Sequence, residues 1–259
     1  ATGYRTGSGD KWLRIGGIKV FMDGALGART ASMLEPYELD TNNYGIVVTE
    51  EDELLSIANK ANTNGLAMTV HAIGDRANRE VLNVYENLRQ DEMERGDPPS
   101  KLRHRIEHVQ LLHPNDYLRL ASSQIIASMQ PIHATADMTL AEKYWGDRIS
   151  GAYAWRTQID AGAILAFGSD APVESINPLW GIHAAVTRSN RTNNVGTIGW
   201  QTKQCLTVDE AVRAYTIGAA YAAYRENDLG TLTPGKLADL VVLDKDIYYC
   251  DPMDIHTTN

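Results

Sequence analysis

The stretch Ala163-Ile164-Leu165-Ala166-Phe167-Gly168-Ser169-Asp170-Ala171-Pro172 constrains the fold of this chain more than any other. Its short apolar run predicts a strand buried on both faces, which Gly168-Ser169 ends abruptly. Asp170 follows the carboxyl end of that strand, and Pro172 prevents further sheet pairing. In parallel α/β proteins this end of a strand is where ligands gather. Asp170 is therefore either the N-cap of the next helix or a carboxylate of a functional site.

Similar apolar runs recur along the chain and alternate with segments that have helical periodicity. Strands are predicted at residues 15–22, 66–71, 103–109, 125–130 and 163–167. A long loop is predicted from residue 23 to about 48, and a Gly- and Asn-rich loop follows residue 188. This alternation indicates an α/β fold with a parallel sheet of βα units. Right-handed crossovers would place all five strand ends at one edge of the sheet.

Local signals predict where the helices begin and where the chain ends in a strand. Thr49 with Asp52 resembles a capping box, and so does Thr207 with Glu210, which opens a helix to about residue 224. Asp75 is predicted to cap a long helix, and further helices are expected from residue 137 to 158. Residues 235–243 are predicted to form a turn followed by a strand.

Length and charge exclude several classes of protein. The 259 residues suffice for one large α/β domain with a sizeable core. A formal net charge of −9 argues against nucleic acid or an anionic membrane as the main partner. Cys205 and Cys250 are the only cysteines, so no disulfide framework is expected. No apolar run is long enough to span a membrane and no signal peptide is visible, so a cytoplasmic location is expected.

The predicted strand ends carry an unusual set of polar side chains. They are Lys19, Asp23, His71, His108, Gln130, His133 and Asp170. A single histidine at a strand end is usually a hydrogen-bonded rim residue, but two histidines and an aspartate on three strands favour a shared site. These residues are too far apart in sequence for a local motif, so the fold must bring them together, as a barrel does.

Lys19 is the least expected of these residues, since its ammonium lies between apolar neighbours of a strand. It either extends to the edge of the sheet or reacts with carbon dioxide to form a carbamate. A carbamate is an anionic oxygen donor able to bridge two metal ions. Together with two neutral imidazoles and a carboxylate it would suit zinc.

The sequence resembles the amidohydrolase superfamily, specifically its family 3 (YtcJ-like) branch, over nearly its whole length. The resemblance rests on these motifs: Ile18-Lys19-Val20-Phe21-Met22-Asp23-Gly24 with Gly27-Ala28-Arg29-Thr30-Ala31, His71-Ala72-Ile73-Gly74-Asp75, Arg105-Ile106-Glu107-His108-Val109-Gln110, Gln130-Pro131 with Asp137, Gly168-Ser169-Asp170-Ala171-Pro172-Val173, and Gly230-Thr231-Leu232-Thr233-Pro234-Gly235-Lys236-Leu237-Ala238-Asp239-Leu240. No single motif is specific, but their combination is.

The resemblance implies a role for each matching strand-end residue. Lys19 would be a carboxylated bridging ligand, His71 and His108 would be ligands, and Asp170 would be both ligand and proton shuttle. The implied cofactor is a divalent metal, with zinc expected in such a site and one or two ions in the complete site.

Further residues would contact the substrate, a small amide-type molecule. Gln130 and His133 would line the wall that faces it. Arg29 is expected, from its charge alone, to hold a substrate carboxylate. The glycine- and asparagine-rich loops are expected to set which substrate binds, and the sequence does not identify it.

One feature of the family is absent from this chain. The family's metal site begins with a His-x-His pair after its first strand, and the sequence contains no such pair. Residues 1–225 are therefore predicted to be the C-terminal part of a (β/α)8 TIM-barrel hydrolase, an incomplete barrel with strands 4–8 only. Residues 226–259 would be a short β segment returning to an accessory β-sandwich. Exposed sheet edges predict a homo-oligomer or association with a missing N-terminal half.

The function predicted from sequence is metal-dependent hydrolysis of a non-peptide, amide-type C–N bond by water. The alternatives are a deaminase or an ester hydrolase with the same site, or a non-catalytic barrel fragment that acts as a binding or regulatory module. Without the His-x-His pair, weak metal binding and poor turnover are expected of the chain by itself.

Overall fold

Five parallel strands lie side by side in the order in which they occur in the chain, as the alternating pattern predicts. The computed structural model describes residues 3–192 and 199–259, so residues 193–198 of the predicted Gly- and Asn-rich loop lie outside the described residues. The strands are β1 (Ile18–Phe21), β2 (Met68–Ala72), β3 (Arg105–His108), β4 (Ile126–Met129) and β5 (Leu165–Phe167). This is the strand order of consecutive units in a (β/α)8 barrel.

Helices connect the strands and follow the last of them. They are α1 (Glu51–Thr63), α2 (Asp75–Glu94), α3 (Arg119–Ser122), α4 (Pro131–Trp145), α5 (Trp155–Asp160), α6 (Pro178–Thr187), α7 (Val208–Arg213) and α8 (Ala219–Ala222). Short 3₁₀ helices lie at Pro114–Asp116, Gly146–Gly151, Thr202–Gln204 and Pro252–Thr257, and a π-helical turn at Ala214–Gly218 joins α7 to α8. None of the described helices is long and apolar enough to cross a membrane.

The two faces of the sheet differ in polarity because side chains alternate along each strand. One cross-strand row, matched in register, is apolar and buried in the main core: Val20, Val70, Ile106, Ala127 and Leu165. The next row on the opposite face is mixed: Phe21, His71, Glu107, Ser128 and Ala166. Burial of the first row against the helices fixes the register, since a shift by one residue would exchange the two faces.

Several predicted helix boundaries are wrong, and one capping box is confirmed. The N-cap of α1 is Glu50 without a side-chain bond, so Thr49 and Asp52 form no capping box. Gly74 caps α2, while Asp75 is its first residue and accepts hydrogen bonds from the backbone of Leu34 and Arg76. Thr207 and Glu210 form the predicted capping box of α7.

Helix α4 begins six residues earlier than the sequence predicts, because Pro131 both ends the strand and fits the first turn of a helix. His133 therefore lies on the first turn of this helix. This difference changes which side chains reach the end of the sheet.

The predicted C-terminal strand is not formed. Among the described residues no strand pairs with residues 237–243, and the one backbone bond there runs from Leu237 N to Asp228 O at 2.9 Å. Leu240, Val241 and Val242 are largely exposed. A strand needs neighbouring backbone groups to pair with, and no described segment supplies them.

Candidate metal centre

A cavity of about 590 Å³ lies at the carboxyl ends of the parallel strands. Lys19, His71, His108 and Asp170, which the sequence places at four separate strand ends, all line it together with His133. The fold thus brings side chains from β1, β2, β3 and the segments after β4 and β5 to one mouth. The cavity is in the size range of small-molecule sites.

Three of these side chains form a compact cluster of potential ligands. One ligand atom each from His108, His133 and Asp170 lies within 4.8 Å of the others, the only such group of three found in the described parts of the chain. Two imidazoles and a carboxylate are a common ligand set for a divalent transition metal such as zinc.

His108 reaches this cluster because the backbone turns at the end of β3. Its φ of 79° lies outside the range of a β-strand. The regular alternation of side chains along β3 would place the His108 ring beside Ala72 on the apolar face, and this change of backbone direction prevents that. The ring centroid lies 4.6 Å from that of His71 instead. Burial and the neighbouring His71 lower the pKa of His108 to about 4, so the imidazole is neutral at pH 7 and its lone pair is available.

Gln130 determines which lone pair of His108 is available. The amide Oε1 of Gln130 lies 2.8 Å from His108 Nδ1 and accepts a hydrogen bond from it. Because a neutral imidazole carries only one N–H, Nε2 is then unprotonated. Gln130 itself is buried and does not line the cavity.

His133 is held by the first turn of α4, and its ring is stacked near that of His108 with centroids 6.0 Å apart. The residue is 8% exposed, and its Nε2 is buried without a hydrogen-bond partner. An unpaired buried nitrogen is unusual and is explained if it binds a ligand. Burial lowers the pKa of His133, against the opposing effect of Asp137 and Asp170.

Asp170 lies just beyond β5 with a left-handed φ of 57° and an exposed side chain. Helix α6 begins eight residues later, and its N-cap is Asn177, whose side chain accepts a hydrogen bond from Leu179 N. Asp170 therefore does not cap a helix. Its carboxylate belongs to the cluster with His108 and His133.

His71 is oriented by groups on the loop after β1. Its Nε2 lies 2.9 Å from the carbonyl oxygen of Gly24 and 3.4 Å from Asp23 Oδ1. Both neighbours accept, so Nε2 carries the hydrogen and Nδ1 is the free nitrogen. Asp23 is itself fixed by backbone N–H groups of Ser32, Ile73 and Gly74 at 2.8–3.0 Å.

Lys19 lies on the mixed face of β1, at the edge of the sheet. Its Nζ is 4.9 Å from the ring centroid of Phe21. Desolvation around the ammonium lowers the pKa of Lys19 although the residue as a whole is exposed, and Glu107 and Asp170 oppose the shift. Lys19 lines the cavity but is outside the three-residue cluster.

Arg29, like Gln130, is a predicted site residue that does not line the cavity. Its guanidinium forms an exposed ion pair with Asp40 at 3.1 Å and lies over the ring of Tyr144.

Sequence reasoning assigned no site role to several residues that surround the cluster. Gln110, Asp137 and Glu174 line the cavity, and Tyr153 donates a hydrogen bond to Asp137 from outside it. Two sequence signals could have joined some of them to the site: His133 and Asp137 are four residues apart on a helix, and Gln110 and Asp137 belong to the motifs that resemble the family.

The residues of the cluster fit a divalent metal. His108 has an unprotonated Nε2, His133 an unpaired buried Nε2, and Asp170 a carboxylate. One ligand atom of each residue lies within 4.8 Å of the others. These are the donors that zinc and similar ions prefer, and burial keeps both imidazoles neutral.

Comparisons with known proteins show which family the chain belongs to. A family model described as "Amidohydrolase family" matches residues 1–259. The chain is 36% identical over 247 residues to the putative amidohydrolase YtcJ of Bacillus subtilis (strain 168), covering 95% of this chain and 45% of that protein. It is 26% identical over 240 residues to the N-substituted formamide deformylase of Arthrobacter pascens, covering 92% of this chain and 42% of that protein.

Solved structures of metal-dependent hydrolases are also similar to this chain. An uncharacterized metal-dependent hydrolase from Pyrococcus horikoshii OT3 matches with a TM-score of 0.82 and 31% identity, covering 96% of this chain and 48% of that one. One from Pyrococcus furiosus matches with a TM-score of 0.78 and 30% identity, covering 94% and 47%. The chain spans less than half the length of these relatives. With the fold, the ligand cluster and the full-length family match in agreement, the chain belongs to the amidohydrolase family.

Proposed function

We propose that this chain carries part of the metal site of a hydrolase that cleaves amide-type C–N bonds. The observation that carries the proposal is the cluster of His108, His133 and Asp170 in a cavity at the strand ends. Family membership supports metal-dependent hydrolysis as the general chemistry.

The proposed ligands of one ion are His108 Nε2, His133 Nε2 and the Asp170 carboxylate. Lys19, after carboxylation, and His71 Nδ1 adjoin this group in the same cavity and would serve a second ion. Zinc is the proposed metal, because two neutral imidazoles and oxygen donors suit it. When bound, the ion activates water near neutral pH and polarises the substrate carbonyl.

The residues of the chain would handle the protons of the reaction. Water adds through its oxygen to the carbonyl carbon, and Asp170 accepts the proton that the water loses. The C–N bond then breaks, and Asp170 returns that proton to the leaving nitrogen, so that an acid and an amine are formed. General acid–base catalysis of this kind contributes about 10²–10⁴-fold to rates.

N-substituted formamides are the substrate class that we propose to test first. The deformylase from Arthrobacter pascens is named for such substrates. The alignment with it covers 92% of this chain and 42% of the deformylase. The cavity wall supplied by Phe21, Leu26 and Val173 is apolar and would accommodate an N-substituent.

We also propose that the five strands correspond to strands 4–8 of an eight-stranded barrel that another segment completes. The chain covers 45–48% of the relatives with the highest identities given above, and it contains no His-x-His pair. A second copy or an N-terminal half would supply the other strands.

Zinc titration of the 259-residue chain tests the metal centre. We expect roughly one ion per chain in isothermal titration calorimetry, with His108→Ala and His133→Ala both weakening binding. His113→Ala is the matched control, since His113 lies outside the cavity and its ring accepts only a backbone hydrogen bond from Asn115. No zinc binding at concentrations up to ~1 mM would overturn the proposed metal centre.

Product analysis of the zinc-loaded chain then tests the bond type. Formanilide should release formate and aniline slowly, and the His108→Ala variant should not release them. Faster cleavage of phenyl formate would favour an ester hydrolase, and ammonia from cytosine would favour a deaminase. Metal binding without turnover of any of these, even with an added N-terminal half, would favour a binding module.

A further inference from the structure

Gln130 is the residue from which the further inference starts, because it contacts both histidines of the ligand cluster, His108 through the imidazole and His133 through the backbone. Its side-chain Oε1 accepts a hydrogen bond from His108 Nδ1 at 2.8 Å. Its main-chain carbonyl accepts a hydrogen bond from the backbone N–H of His133 at 3.1 Å. Gln130, which lies between β4 and α4, therefore links His108 at the end of β3 to His133 on the first turn of α4.

We propose that Gln130 is a positioning residue that holds His108 with Nε2 free to bind the metal, rather than a contact for substrate. The inference rests on the metal centre proposed above and adds a residue that controls it. An amide oxygen can only accept a hydrogen bond, so this contact selects the imidazole tautomer with the hydrogen on Nδ1. The unprotonated Nε2 is then the nitrogen available to the cluster.

The backbone around Gln130 explains why it can hold this position. Gln130 is the extended N-cap residue of α4, with φ −124° and ψ 97°, and Pro131 follows at the first helical position. The rigid proline ring and the helix that it opens fix the direction of the preceding residue. With 6% of its surface exposed, the Gln130 side chain has little room to leave its histidine partner.

Gln110 is a second buried glutamine in the same region, and unlike Gln130 it lines the cavity. The Oε1 of Gln110 has no hydrogen-bond partner. Gln130 has the opposite arrangement, because its oxygen is engaged and it is absent from the cavity lining. The two residues are of one type and similarly buried, so they form a matched pair for experiment.

Groups that orient a histidine ligand through its second nitrogen commonly alter metal affinity by ~10–100-fold when they are removed. We therefore expect Gln130→Met to weaken zinc binding by this factor, and Gln110→Met to leave it unchanged. Gln130→Glu should keep tight binding, since a carboxylate accepts the same hydrogen bond from Nδ1.

The test combines a measurement without metal and one with zinc, both on the full 259-residue chain. Long-range ¹H–¹⁵N spectra of ¹⁵N-histidine-labelled, metal-free protein at pH 7 report the tautomer of each imidazole. The His108 signal, assigned by its loss in His108→Ala, should show hydrogen on Nδ1 in the wild type, in Gln130→Glu and in Gln110→Met. Gln130→Met should show a mixture of both tautomers or hydrogen on Nε2. Zinc titration of the same samples gives the affinities.

The results separate this inference from the proposed function. Zinc binding by the wild type with unchanged tautomer and affinity in Gln130→Met overturns the role of Gln130 alone. Hydrogen on Nε2 of His108 in the wild type also overturns it. Failure of the wild type to bind zinc, with the expected tautomers present, overturns the metal centre while Gln130 still sets the tautomer. If Gln130→Met does not fold, loss of the Nδ1-protonated form in folded Gln130→Glu contradicts the inference instead.

Discussion

Tyr153 donates a hydrogen bond from its hydroxyl to Asp137 Oδ2 over 2.6 Å, and Asp137 in turn faces His133. Burial raises the pKa of Asp137, while the Tyr153 hydroxyl and His133 act against that rise. Tyr153 is almost completely buried and does not line the cavity. The pKa of the Asp137 carboxylate, which lines the cavity, thus depends on the hydroxyl of Tyr153, which does not.

Tyr153→Phe removes this hydroxyl while keeping the aromatic packing. We expect the pKa of Asp137 to rise further, because the charged carboxylate loses a hydrogen-bond donor in a half-buried place. We also expect the free energy of unfolding to fall by about 0.5–1.5 kcal/mol, the usual net contribution of one hydrogen bond. Carboxyl ¹³C NMR titration and denaturant unfolding measure the two effects.

Tyr85→Phe is the control, since the Tyr85 hydroxyl donates to the Arg105 carbonyl at 2.9 Å and has no bond to Asp137. It should lower stability by a similar amount and leave the Asp137 titration unchanged. An Asp137 pKa that does not move in Tyr153→Phe would contradict the proposed coupling.

Glu92 joins α1, α2 and the segment before β3 inside the core. Its Oε1 accepts hydrogen bonds at 3.0 Å from Asn62 Nδ2 and from His104 Nε2, and its Oε2 pairs with Arg89. Burial alone would raise the pKa of Glu92, but the bonds from His104 and Arg89 lower it overall.

Glu92→Ala should therefore be among the most destabilising single changes in the chain. Removing one partner of a buried charged network typically costs about 3–5 kcal/mol. Glu94→Ala, two residues later on the exposed face of α2, should change the free energy of unfolding by no more than about 0.5 kcal/mol. Similar unfolding midpoints for the two variants would show that the buried network contributes little.

Glu210 makes the stability of the C-terminal helices depend on pH. The Arg156 guanidinium, followed by the Thr207 N-cap, lowers the pKa of Glu210 to about 2. Because the folded pKa lies below the ordinary value of ~4.3, this interaction stabilises the fold above that value. The contribution is lost as the pH falls from about 4.3 towards 2.

Glu210→Gln keeps the capping box but loses the ion pair with Arg156. Its melting temperature should lie below that of the wild type at pH 7, and the difference should disappear near pH 2. Thermal unfolding at several pH values measures this. A difference that stays constant across the range would assign the effect to packing rather than to charge.

The sequence predicts the strands well because burial on the helix-covered face leaves a clear pattern. Val70 and Ile106 lie between polar neighbours and Val20 follows Lys19, so these three apolar residues share one face of the sheet and set the register. The strand ends that carry Lys19, His71 and Asp170 were predictable for the same reason. Their meeting in one cavity follows from parallel strand order alone.

The composition of the three-residue cluster was not predictable in the same way. His108 joins it only because its backbone adopts a left-handed φ, and His133 only because α4 begins directly at Pro131. The sequence-based ligand set therefore placed His133 on the substrate wall, whereas the structure groups it with His108 and Asp170. The roles of Lys19 and His71 as ligands stay predictions.

Asp170→Asn is the change that we expect to damage function most while leaving the fold intact. Asparagine nearly matches aspartate in shape and tolerates the left-handed φ of 57° at this position. Asp170 also caps no helix, so the melting temperature should stay close to that of the wild type. What is lost is a negative charge in the cluster and a group that can accept a proton.

We expect Asp170→Asn to weaken zinc binding and to lower the hydrolysis rate by about 10²–10⁴-fold. Asn177→Ala provides the opposite pattern, because Asn177 is the N-cap of α6 and lies outside the cavity. That variant should lose about 1 kcal/mol of stability and keep its zinc affinity. Calorimetry, zinc titration and formanilide turnover on both variants separate the two roles. Zinc affinity and turnover within a few-fold of the wild type in Asp170→Asn would remove Asp170 from the site, since neither its metal-ligand role nor its proton-transfer role allows such tolerance.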